Sequence, residues 1–314
     1  MPCNTESSSL LSKIIWVLVF ALLNAIPSMA TYVGKNGRIA FAANGNGSTQ
    51  IYTANPDGTD LFQVTNLPAA DNPLAWALDY SPDGRRIVFS HDMTGALELY
   101  VVNVDGTGLV QITHDNEEDA WPRWSPDGEH IVFGRLTDLS SEVPGFGVHV
   151  ITTMRADGTN QELLSSHVWD SYEPEYTTDG KHIVFGSNFG GYVSTVWIMD
   201  AHGKQPKRLT AAEVEAGGID VSPDGRQIVF HDHQNTSNPS SIFTMNIDGT
   251  HVTPLTSRGH FDLQPVYSPD GTMILFLSDR ASPGSLDAFV MSSNGSHLRR
   301  IVEGASWPDW GPEP

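Results

Sequence analysis

From residue 37 onward the chain repeats one hydrophobic pattern, a short apolar run behind a polar turn signal. The runs are Ile39-Ala40-Phe41, Ile87-Val88-Phe89, Ile131-Val132-Phe133, Ile183-Val184-Phe185, Ile228-Val229-Phe230 and Ile274-Leu275-Phe276. Short runs rich in β-branched and aromatic residues, bounded by Gly, Pro and Asp, predict buried strands. No helical period of useful length competes with them.

The turn signals repeat as well. Ser81-Pro82-Asp83-Gly84, Ser125-Pro126-Asp127-Gly128, Ser222-Pro223-Asp224-Gly225 and Ser268-Pro269-Asp270-Gly271 have a degenerate fifth copy in Thr177-Thr178-Asp179-Gly180. Their first residues step by 44, 52, 45 and 46, the spacing of four-stranded propeller blades. Pro-Asp suits the centre of a type I turn and the following Gly takes a left-handed bulge, so each copy closes a tight hairpin. A second signal, Asp57-Gly58-Thr59, recurs at Asp105, Asp157 and Asp248, with variants at His202 and Asn294. Each unit therefore reads as four antiparallel strands, a to d outward from an axis. Such a sheet leaves both apolar faces wet unless its neighbours stack around that axis.

The expected architecture is all-β, a six-bladed propeller over residues 31–314. The first unit opens with strand b, and Trp307-Pro308-Asp309-Trp310-Gly311-Pro312 near the C-terminus echoes Trp121-Pro122-Arg123-Trp124-Ser125-Pro126. The last strand is thus expected to complete blade 1 and close the ring. Just before the hairpin residues Tyr80, Trp124, Tyr176, Val221, Tyr267 and Trp310 stand Asp79, Arg123, Glu175, Asp220, Val266 and Asp309. Side chains alternate along a strand, so this second set should face the axis. Four acids against one arginine suit either an acidic channel that attracts a cation or pairing with backbone and water.

Trp124-Ser125-Pro126-Asp127-Gly128 followed by Ile131-Val132-Phe133, with Leu99-Tyr100-Val101-Val102-Asn103-Val104-Asp105-Gly106-Thr107 and Gln111-Ile112-Thr113, resembles the WD-like repeat of the TolB family of β-propellers. The resemblance spans the chain beyond residue 30. It implies six blades, a bacterial periplasm and an interaction role of the kind played in the Tol-Pal envelope system. Family members carry an α/β domain ahead of the propeller, whereas here blade 1 follows closely on residue 30. The matching motif residues are structural, so no partner-contacting residue carries over.

Charge and composition narrow the function. With 37 Asp+Glu against 17 Lys+Arg the net charge is −20, which repels phosphate backbones and argues against nucleic acid. Residues 14–25 are almost all apolar, follow Lys13 and lead to Ser28-Met29-Ala30, the pattern of a secretory signal peptide over residues 1–30. That run falls short of the roughly 20 residues a bilayer span requires. Cleavage after Ala30 would remove Cys3, the only cysteine, and with it any disulfide or thiolate site. An exported monomer with no membrane span is expected.

No Gly-x-Ser-x-Gly, His-Glu-x-x-His or Gly-x-x-x-x-Gly-Lys-Ser/Thr motif occurs. Candidate binding residues instead fall on the face shared by the d-to-a and b-to-c loops, called upper here: Glu117, Glu118, Asp119, Trp121, Trp169, Asp170, Glu173 and Asp262, above the axial Asp79, Glu175, Asp220 and Asp309. Aromatics beside carboxylates at a concave mouth suit a cationic or amphipathic peptide of an envelope protein. A solvated polar rim would look the same. No cofactor is required, although His231, His233 and His260 offer imidazoles for a divalent cation. The alternative function is accordingly a metal-assisted lyase or hydrolase acting on an exported polysaccharide or peptide.

Overall fold

The structure, a computed structural model, describes residues 34–314 apart from 46, 69–74, 116, 138–146, 167–168, 190–192, 212–213 and 233–238. Residues 1–30, His167 and His233 lie outside the described residues. All regular structure among the described residues is strand, arranged in six four-stranded antiparallel sheets. No helix among them is long and apolar enough to cross a membrane.

Five blades run consecutively along the chain. Their innermost strands are Ala75–Tyr80, Glu118–Trp124, Ser171–Tyr176, Ala216–Val221 and Asp262–Tyr267, in blades 2 to 6. Blade 1 is assembled from both ends of the described chain: Ser306–Pro312 is its strand a, Asn36–Gly45 its strand b, Ser48–Ala54 its strand c and Phe62–Gln63 its strand d. The seam is antiparallel, with Trp310 opposite Ile39 and Asp309 opposite Ala40. Ring closure by the C-terminal strand is therefore as the sequence predicts, and it covers a sheet edge that would otherwise stand open.

The apolar runs meet between blades. Val88, Leu99 and Val101 of blade 2 pack on Trp124, Ile131, Phe133 and Met154 of blade 3, and blade 6 packs on blade 1 through Leu275, Leu277 and Val290 against Ile39, Phe41 and Trp310. The six phenylalanines that end the strand-b runs are all 4% exposed or less, each worth about 1.5–3 kcal/mol of burial.

The turn signals work as their chemistry suggests. Ser81 Oγ donates to Asp83 Oδ1 and accepts from the Arg86 N–H, while Gly84 N–H donates to Ser81 O. In the other turn Asp57 Oδ1 accepts from both the N–H and the hydroxyl of Thr59. This second turn also joins neighbouring blades. Gly158, at φ +85°, sits so close to Ile112 O that a Cβ there would lie 2.1 Å from that oxygen, so glycine is demanded by both conformation and contact.

Candidate functional site: the axial channel and its upper mouth

Each innermost strand carries the same irregularity four residues from its hairpin. Ala77, Trp121, Glu173, Gly218, Gln264 and Trp307 all adopt the left-handed conformation, with φ of 50°, 53°, 50°, 58°, 50° and 47°. The strand-a to strand-b register shifts across each of these residues. A non-glycine residue held this way costs about 1–2 kcal/mol, tolerated here because the bulge re-aims its side chain. These six residues line one end of the channel, and two positions further along five of the strands Asp79, Arg123, Glu175, Asp220 and Asp309 line the other.

Every blade junction around the axis is bridged by one of these side chains. Asp309 of blade 1 accepts from Tyr80 N–H at 2.8 Å, and Asp79 of blade 2 accepts from Trp124 N–H at 2.6 Å. Arg123 of blade 3 reaches forward to Glu175 of blade 4 (2.9 Å) and back to Leu78 O (2.9 Å). Glu173 of blade 4 accepts from Gly218 N–H at 2.7 Å, and Asp220 of blade 5 from Tyr267 N–H at 2.6 Å. At the last junction the acid is replaced by Val266, and Gln264 Oε1 accepts from Trp307 N–H at 3.2 Å. Asp309, Asp79 and Asp220 thus satisfy strand-a N–H groups that have no other place in the ladder, while Glu175 pairs with Arg123.

Burial raises the axial carboxyls above their ordinary range. Asp79 and Glu175 are held well above it, Asp309 is raised and Asp220 is pushed up to about 7, in each case first by loss of solvent. Arg123 opposes this at all four, and a hydrogen bond joins Asp79 to Asp309. Glu173 is raised by burial as well.

The upper mouth is divided into two halves. On one, Ala77 of blade 2 lies in blade order between two tryptophans, Trp307 of blade 1 and Trp121 of blade 3; on the other stand Glu173, Gly218 and Gln264. Trp121 meets His149 edge-on at 4.8 Å and Tyr172 at 5.9 Å. His149 Nδ1 lies 2.9 Å from Asp170 Oδ1, which also accepts from the His149 N–H. Asp170 therefore orients an imidazole beside Trp121. His231 is buried behind Gly218, its Nδ1 facing Gln264 N–H at 3.4 Å.

The rim departs from the expected acidic surface at two places. Asp119 and Asp262 are fully buried and face arginines on the adjacent strands: Arg135 grips both Asp119 oxygens at 2.7 Å, and Arg280 holds Asp262 at 2.7 and 2.8 Å. Neither carboxylate is offered to a partner. Glu118 is exposed, Glu117 half-buried and Trp169 turned onto Phe189 at the wall of a separate cavity. His260 lies near Asp279 at 3.6 Å. Among the described residues neither His231 nor His260 joins a group of three metal-ligand side chains. Two other groups do: Asp127, Glu129 and His130, and Glu98, Asp115 and Asp119. The second is occupied by Arg135, which pairs with Asp115 as well as Asp119. Gln264 lines the mouth, and His149 and Tyr172 pack on its Trp121; none of the three stood among the candidates named from the sequence, whereas Glu118, Asp119, Trp121, Glu173 and Asp262, expected on loops, lie on strands.

A closed ring of six four-stranded blades around a lined axial channel defines a β-propeller of the TolB type. The chain belongs to the TolB β-propeller domain family, whose model matches residues 149–313. It is similar to TolB of Acinetobacter baumannii, with a TM-score of 0.74 at 20% identity over 100% of this chain and 75% of that one. The Agrobacterium fabrum protein Atu1656 is 28% identical over 42% of this chain and 43% of its own length. The Bacillus subtilis peptidase YuxL is 28% identical over 42% of this chain and 25% of its own length. The chain thus spans less than half of each of these two relatives.

Proposed function

We propose that this propeller is an exported, non-enzymatic binding module that takes a cationic or amphipathic segment of a cell-envelope protein at the upper mouth of its channel. The observation that carries this reading is the mouth itself, with Trp121 and Trp307 on one half and Glu173 on the other, in a protein of net charge −20. Apolar groups of a ligand would pack on the indoles while its Lys or Arg side chains meet Asp170, Glu173 and the exposed Glu118. The similarity to TolB, and the apolar stretch at residues 14–25, support placement in the envelope. Asp79, Glu175, Asp220 and Asp309 contribute field rather than direct contacts, because they line the opposite end of the channel from the mouth.

The test is the binding of a labelled peptide of alternating Lys and apolar residues, compared with its Glu-for-Lys counterpart, by fluorescence anisotropy. The cationic peptide should bind, more tightly as salt is lowered, and Trp121→Ala should weaken it roughly 5-fold or more. Equal binding of the charge-reversed peptide would overturn the reading. A fall in melting temperature on adding EDTA would instead favour a metal-dependent protein.

A further inference from the structure

The repeats expose a difference in blade 4. In blade 6, Phe276 and Phe289 face each other in register beneath Arg280, whose guanidinium lies 5.5 and 5.4 Å from their ring centres. Arg280 is held there by Asp262 and by Ser278 Oγ at 2.9 Å. Blade 3 does the same with Arg135, 5.3 Å over Phe133 and paired to Asp119.

Counting back from the hairpin aromatics Trp124, Tyr176 and Tyr267 places Asp119, Ser171 and Asp262 at one equivalent position. The blade-4 counterparts of Phe276 and Phe289 are Phe185 and Trp197, also opposite each other in register. Ser187 matches Ser278, and Phe189 stands where Arg280 would. Blade 4 therefore keeps the aromatic pair but has neither the arginine nor its carboxylate. Phe189 takes that place, and beside it lies a cavity of about 370 Å3, walled by Trp169, Phe185, Phe189 and Trp197 with Ser171 and Ser187. Phe189 meets Trp169 at 5.3 Å and Trp197 at 4.9 Å, both edge-on, so the rings present surfaces in several directions.

We propose that this cavity is an aromatic cage for a small quaternary ammonium compound of the choline type. Aromatic faces attract a cation, as the arginines of blades 3 and 6 show within this molecule. A guanidinium in blade 4 would leave donors unpaired. Ser171 stands in place of the aspartate, Ser171 already donates to Ser187 Oγ, and Ser187 donates to Asp170 O. A trimethylammonium group has no donor to satisfy. The protein's net charge of −20 favours an alcohol-bearing cation over a betaine that carries its own carboxylate. The cavity lies apart from the channel mouth, and this inference does not rest on the peptide reading.

The probe is choline, titrated into the purified protein by calorimetry beside its uncharged isostere 3,3-dimethylbutan-1-ol. Choline should bind saturably and at least about 10-fold more tightly than the isostere, since the two differ only in charge. Phe189→Ala should weaken choline about 5-fold or more; Phe189 is 45% exposed at the cavity edge, so the core survives its loss. Trp169→Leu serves as a second variant with the same expectation. Absence of saturable choline binding, equal affinity for the isostere, or undiminished binding in both variants would overturn the assignment.

Discussion

Trp307 and Trp310 lie three residues apart on one strand and have opposite roles. Trp310 is 4% exposed, packs against Ile39 and Phe41 in the core shared by blades 6 and 1, and donates its indole N–H to Gly37 O at 3.2 Å. Trp307 lines the mouth, half-buried, in the left-handed conformation at φ 47°. Replacing Trp310 with Ala removes a buried indole at the seam, a loss of about 3–5 kcal/mol. At about 2–4 °C per kcal/mol for a domain of this size, the melting temperature should fall by roughly 6–20 °C. Trp307→Gly loses part of one indole's contacts but releases about 1–2 kcal/mol of backbone strain, so the two effects nearly cancel. Circular dichroism melts of the two variants beside the parent protein decide the matter. If Trp310→Ala melts within about 3 °C of the parent, or if the two variants fall equally, the closure argument and the division of roles along this strand are both wrong.

Stability should also depend on pH in a particular direction. Asp79, Glu175, Asp220, Asp309 and Asp119 have carboxyl pKa values raised by burial, with Asp220 and Asp119 pushed up to about 7. The folded protein then binds more protons than the unfolded chain, so their contribution is full below about pH 4 and is lost as pH rises through the folded values. Asp57, Asp105, Asp157 and Asp248 run the other way: hydrogen bonds from Thr side chains lower them, and their contribution fades in acid. Melting temperature should therefore rise from pH 8 to about pH 5 and fall below about pH 4; a flat or falling trend between pH 8 and 5.5 would refute the burial argument. Arg135→Met strips Asp119 of its buried partner and should cost about 3–5 kcal/mol, more at pH 8 than at pH 6, whereas the exposed Glu118→Gln should stay within about 0.5 kcal/mol by chemical denaturation. Equal stability of these two variants would return Asp119 to the solvated rim.

The fold was legible because its signals are local. Ser81-Pro82-Asp83-Gly84 and Asp57-Gly58-Thr59 close hairpins through side-chain contacts within a few residues, and five copies of the first and six of the second, variants included, reveal the repeat. The echo of Trp121-Pro122 in Trp307-Pro308 disclosed the seam for the same reason. The mouth was less legible because its partners are distant or carry no sequence mark. Asp119 looks like a loop acid until Arg135, sixteen residues on, is seen directly opposite it across the strand pair. The bridging role of Asp79, Asp220 and Asp309 depends on backbone N–H groups of the next blade donating to them, which no residue pattern announces. His149 joins Asp170 only because strand c of blade 3 begins beside the entrance to blade 4.

The most direct test of the central claim is a titration of the cationic peptide followed through the tryptophan indole N–H signals by NMR. Trp121 and Trp307, which line the mouth, should shift together and saturably, while buried Trp124 and Trp310 stay in place. Saturable binding that leaves Trp121 and Trp307 unmoved would contradict it.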